Sequence, residues 1–166
     1  INSVPGAAGV ITGVTTVCSG ATNVNFSIAT VTSATGYSWT VPSGFTITSG
    51  SNTNSINVSA PTTAGIYTIS VRGTNTCGNG TASSRTITVV SAPSLSGITG
   101  SATSVCQNTS GISFTASGAN VSTYTWSVPS GFIITSGQGT SVIGVNIGSA
   151  SNGSISVLGS NICSST

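Results

Sequence analysis

Along most of this chain apolar residues alternate with Ser, Thr or Asn, the period-2 pattern of strands with one buried face. The clearest stretch is Tyr37-Ser38-Trp39-Thr40-Val41, followed by the turn Pro42-Ser43-Gly44 and a short alternation from Phe45 to Thr48. It returns nearly unchanged as Tyr124-Thr125-Trp126-Ser127-Val128, Pro129-Ser130-Gly131 and Phe132 to Thr135. Such self-similarity means two copies of one structural unit.

In the first copy the same reading places strands at Val10 to Gly13, at Val24, Phe26 and Ile28, and at Ile56 and Val58. Further strands fall at Tyr67, Ile69 and Val71, with Thr68, Ser70 and Arg72 facing water, and at Ile87 and Val89. In the second copy, Ile112, Phe114 and Ala116 repeat the strand of Phe26. Val145 and Ile147 are matched to Ile56 and Val58, and Ile155 and Val157 to Ile69 and Val71. No segment holds a 3.6-residue period, and turn signals recur about every eight to twelve residues. The fold class expected is all-β: two tandem antiparallel sandwiches, residues 1–91 and 92–166, joined at Ser91-Ala92-Pro93-Ser94. Phe26, Tyr37 and Trp39, with Phe114, Tyr124 and Trp126, are the expected core aromatics.

The copies differ at their ends. After Cys77 the first copy has thirteen more residues, Gly78 to Val90, which include the strand of Ile87 and Val89. After Cys163 the second has Ser164-Ser165-Thr166. The second sandwich is therefore expected to lack its last strand.

Composition narrows the function. The chain of 166 residues has no Asp, Glu or His, and its two basic residues are Arg72 and Arg85. A net charge of +2 is too small for the phosphate neutralisation that nucleic-acid binding requires. General acid–base catalysis needs a group that titrates near working pH, and a Ser nucleophile without a base is only a hydroxyl. Calcium sites need carboxylates, and transition metals need His or thiolate. The expectation is a non-enzymatic chain without cofactor or metal. No apolar run approaches the roughly 20 residues of a spanning helix, so membrane insertion is not expected. The chain opens with Ile1 and reads as a mature or excised piece of a secreted protein.

Each copy carries one early and one late cysteine around its Trp. Treating both copies alike gives the pairs Cys18–Cys77 and Cys106–Cys163, with zinc disfavoured because no Cys-x-x-Cys occurs. Each bridge would close a loop of roughly sixty residues, worth roughly 4 kcal/mol, and would imply an oxidising compartment. Six Asn-x-Ser/Thr sequons occur by inspection, of which Asn79 and Asn152, each before Gly, are the best glycosylation candidates.

The set Val17-Cys18, Phe26, Tyr37-x-Trp39-x-Val41-Pro42-x-Gly44, Ile47-x-Ser49-Gly50 and Asn75-x-Cys77-Gly78 resembles the PKD-like, immunoglobulin-like repeats of secreted Bacteroidetes surface proteins. The second copy carries it at Val105-Cys106, Phe114, Tyr124-x-Trp126-x-Val128-Pro129-x-Gly131, Ser136-Gly137 and Asn161-x-Cys163. The resemblance implies export to the cell surface and service as a spacer, adhesin or filament module. An incomplete sandwich adds a specific expectation: self-association in which a second copy donates a strand to the edge at Ile155 and Val157. The donor expected is the leading segment with Ile1 and Val4, which aligns with Val89 to Ala92. The alternatives are a spacer or adhesin in a longer repeat array, and a carbohydrate-binding module using Trp39 or Trp126.

Overall fold

Alternation becomes strands wherever one face can be buried, and in this chain it does so throughout. In the computed structural model residues 3–101, 104–149 and 152–166 are described, and among them no helix occurs. The chain forms two compact units, Ile1–Ser91 and Ala92–Thr166.

Unit 1 contains β1 (Thr12–Gly13), β2 (Thr16–Cys18), β3 (Val24–Ser27), β4 (Gly36–Thr40) and β5 (Thr46–Ser49). It continues with β6 (Ser55–Ser59), β7 (Gly65–Asn75), β8 (Gly78–Asn79) and β9 (Ser83–Val90). One sheet has the order β1-β3-β6-β5; the other runs β2-β9-β7-β4, with β8 folded back on β7. The core between them includes Phe26, Ile56, Val58, Ile69, Val71, Ile87 and Val89, none more than 1% exposed. Trp39, opposite Val71 in the register, is 8% exposed and Tyr37 packs beside it.

One pairing departs from the antiparallel expectation. The chain changes sheet between β1 and β2, and β2 then runs parallel to β9, with Val17 opposite Val89 and Cys18 opposite Val90. The crossing needs Gly13: its φ is +137°, and a Cβ there would meet the Phe26 ring at 2.6 Å.

Unit 2 contains β10 (Ser94–Gly100), β11 (Ile112–Ala119), β12 (Thr123–Ser127), β13 (Phe132–Ser136), β14 (Val142–Ile147) and β15 (Ser156–Ser160). Its first sheet, β10-β11-β14-β13, repeats that of unit 1, but its second is only β12-β15. Tyr124 and Phe114 pack against a buried cluster that includes Trp126, Ile143 and Val145. The register corrects one correspondence. Phe114 lies opposite Ile143 as Phe26 lies opposite Ile56, so the counterparts of Ile56 and Val58 are Ile143 and Val145, not Val145 and Ile147. Equal spacing from Gly50 and from Gly137 carries the same register. At each of these glycines φ is close to +80°, and a Cβ would collide with a carbonyl oxygen, of Ser55 or of Val142.

Candidate functional site

Among the described residues of unit 2, the second sheet has no strands at the positions that β9 and β2 hold in unit 1. β9 has two neighbours there: β7 antiparallel from Gly65–Val89 to Val71–Ser83, and β2 parallel. Among the described residues of unit 2 nothing pairs with β15 along Ser156 to Leu158 on the side away from β12. Beyond Cys163 the chain turns back only far enough for Ser165 to bridge Ser160 and for Thr166 to exchange two backbone hydrogen bonds with Gly159, at 2.8 and 2.9 Å.

The consequence is an apolar groove of about 340 Å³, lined among others by Ile98, Val105, Phe114, Phe132 and Ile155. Position by position, these are the side chains that lose their cover. Ile11 is 1% exposed and its counterpart Ile98 is 38%; Val17 is 7% and Val105 is 40%. Phe26, Ile69 and Val71 are buried, whereas Phe114, Ile155 and Val157 are only half-buried. On β14, in the middle of the first sheet, Ile143 and Val145 do not change: they are 0% exposed, as deeply buried as Ile56 and Val58. The groove is thus the imprint of a strand with the chemistry of β9, alternating Ile and Val with Thr and Ser.

Of the expected edge, Ile155 lines the groove and Val157 lies on β15 beside it. Of the expected donor, Val4 is 52% exposed, beside Gly78, and Ile1 lies outside the described residues. Asn79 and Asn152, the sequon candidates, are both exposed. The two Trp side chains are no sugar platforms: both are buried, and their Nε1 groups donate to the carbonyls of Thr53 (2.9 Å) and Thr140 (2.8 Å). Among the described residues no group of His, Cys, Asp or Glu is placed to hold a metal.

The cysteines require a correction. Cys18 ends β2 beside Val90, at the pole where the chain leaves unit 1, here the trailing pole. Cys77 sits in the turn between β7 and β8, at the leading pole, where Asn75 Nδ2 holds the carbonyl of Ser3 at 2.7 Å. Between these poles β7 runs from Gly65 to Asn75, about 30 Å at strand rise. A disulfide needs Cα atoms about 5.5 Å apart, so Cys18–Cys77 cannot form within the unit. Unit 2 repeats the layout. Cys106 lies near Gly148, beyond the end of β14, and Cys163 lies in the turn that follows the opposite end of the sheet. Cys18 and Cys163 are each disulfide-bonded, while Cys106 is an exposed free thiol, so Cys106–Cys163 is not formed either. Symmetry between copies was the wrong guide, because it says nothing about which pole a residue occupies. The turns themselves are alike: Asn75 Oδ1 accepts from Cys77 N, and Asn161 Oδ1 from Cys163 N, both at 2.8 Å.

Two β-sandwich units in tandem, sharing the order of their first sheets, define a tandem β-module of the generic structural or adhesive kind. The comparisons name the family: residues 4–89 and 91–166 each match the PKD-like domain, and the chain belongs to that family in two copies. Among solved structures it is similar to an I-band fragment of titin, with TM-score 0.53 and 16% identity, over 98% of this chain and 60% of that one. It is also similar to the D00-D0 domain of intimin, with TM-score 0.50 and 15% identity, over 96% and 95% of the two chains. The chain thus spans about 60% of the length of the titin fragment. At these identities the likeness is one of fold. No curated protein matches the sequence.

Proposed function

We propose that this chain is a structural subunit of an extracellular fibre whose modules stack head to tail, the groove of unit 2 being filled by a strand from the next copy. The groove carries the reading: it is lined by Ile98, Val105, Phe114 and Ile155, whose counterparts Ile11, Val17, Phe26 and Ile69 are all buried in unit 1. Covering them again recovers the burial of two or three core residues, on the order of 4–8 kcal/mol. The free edge of β15 supplies backbone donors and acceptors in register with an incoming strand. Because acceptor and donor surfaces differ, the contact does not close on itself and propagates. The donor is the leading segment that includes Ile1 and Val4, as its alignment with the end of β9 suggests.

A peptide with the sequence of Ser83 to Ser91 offers the missing strand directly. Added to the purified chain, it is expected to slow amide exchange at Ile155 to Leu158 and to block polymer growth. Monomeric chains in which these amides are already fully protected would overturn the reading.

The second reading is a spacer or adhesin within a longer surface array, the strand being supplied by the same polypeptide. It is favoured by the tandem repeat itself. Assembly of the 166-residue chain alone into filaments decides for the fibre; chains that stay single and bind the peptide decide for the array.

A further inference from the structure

We infer that Asn152 is a site of spontaneous deamidation, through which unit 2 gains a carboxylate at the rim of its groove, while the fold slows the same reaction at Asn79 of unit 1. Asparagine followed by glycine closes readily to a five-membered succinimide, because no side chain on the second residue obstructs its backbone nitrogen. The pair occurs twice, as Asn79-Gly80 and Asn152-Gly153, and both asparagines are exposed. Neither site depends on a strand entering the groove.

What separates the two sites is the nitrogen that must attack. Asn79 lies on β8 opposite Thr74 of β7, and the amide of Gly80 donates to the carbonyl of Gly73 at 2.9 Å. The residue after it is held as well, since the carbonyl of Thr81 accepts from Ala8 N at 2.9 Å. Ring closure at Asn79 must therefore break a hydrogen bond and turn the backbone out of its strand. Gly153 lies outside any strand, and among the described residues nothing accepts a hydrogen bond from its amide. Residues 152–154 are all exposed, so solvent reaches both reacting groups. The reaction needs only water. Gly153 N loses its proton to solvent and bonds to Cγ of Asn152, whose amide nitrogen leaves as ammonia. Water then opens the ring at one carbonyl or the other, giving Asp or isoaspartate. Either product brings a carboxylate to a chain that has no Asp or Glu, and lowers its net charge of +2 by one unit. Because Gly153 lines the groove, the new charge arises at its rim.

The test incubates the full, freshly purified chain in mildly alkaline buffer and follows both sites by peptide mapping, with enzymatic methylation of isoaspartate as a second readout. Conversion is expected first at Asn152, at least about fivefold faster than at Asn79, the factor set by one hydrogen bond that must break. The rate should rise with pH, because the attacking nitrogen has to lose its proton. In urea the two sites should converge, each being Asn-Gly before a hydroxyl residue, Thr81 or Ser154. Asn152→Gln, an exposed change that leaves the fold intact, should remove most of the methyl acceptance. Equal rates in the folded chain, faster conversion at Asn79, or a difference that persists unchanged in urea would overturn the assignment. So would a glycan on Asn152 of the native protein, since its amide nitrogen would then be tied to sugar.

Discussion

Unit 1 and unit 2 are the same sandwich with and without one strand, and the difference is not confined to that strand. Where β9 is present, β2 has a partner, Val17 is 7% exposed, and Ile11 is sealed at 1%. Where it is absent, Ser104 to Cys106 form no strand, Val105 rises to 40% and Ile98 to 38%. The sheet formed by β10, β11, β14 and β13 is meanwhile intact, with Ile143 and Val145 fully buried. The strand pairing of the opposite sheet is therefore kept although side chains on it, Ile98 and Phe114, lose cover. Losing a strand opens a groove along its own sheet and leaves the opposite sheet standing, the condition a strand acceptor needs.

The contrast can be broken most severely from the unit 1 side. Ile87→Asp places an uncompensated carboxylate in a site that is 0% exposed, and should cost more than about 4 kcal/mol. Unit 1 should then show the amide exchange of unit 2, with Ile69 and Val71 becoming as labile as Ile155 and Val157. A stable, fully protected variant would mean that β9 does not close the core.

Next in size is a matched pair of truncations. Phe26→Ala should cost about 3–5 kcal/mol, because the ring is 0% exposed, and Phe114→Ala roughly half as much, because its ring is already wet. Urea unfolding followed at each unit measures both. Adding the β9 peptide should raise the Phe114→Ala cost toward that of Phe26→Ala.

A third pair should erase the difference. Gly50→Ala and Gly137→Ala force the same positive φ on a side chain in the same turn, far from the groove, so about 1–2 kcal/mol or more is expected in both units. Unequal costs would show that the groove weakens unit 2 as a whole. The smallest effect concerns pH. With no Asp, Glu, His or Lys in either unit, folding changes the protonation of almost nothing. Thermal midpoints should accordingly stay flat from about pH 4 to 8 in both.

Much of this was legible from alternation alone. The turn Pro42-Ser43-Gly44 and its repeat placed β4, β5, β12 and β13, and the alternation of Ile155 and Val157 marked the strand beside the groove. Two things escaped. Strand β2 is three residues without a period to detect, and it exists because β9 offers it a parallel partner. The disulfides were misread because pairing depends on which end of the sandwich a residue reaches. That follows from strand direction summed over the whole unit, and spacing along the chain does not encode it.

The sequence by itself determined an all-β chain of two related modules. Side-chain alternation, turn chemistry and the near absence of charge are local properties, and they suffice for that much. Tertiary structure alone decided which apolar residues stay wet and at which pole each cysteine lies. Both are set by neighbours far away in sequence, through the cover that one strand gives and the distance that another spans.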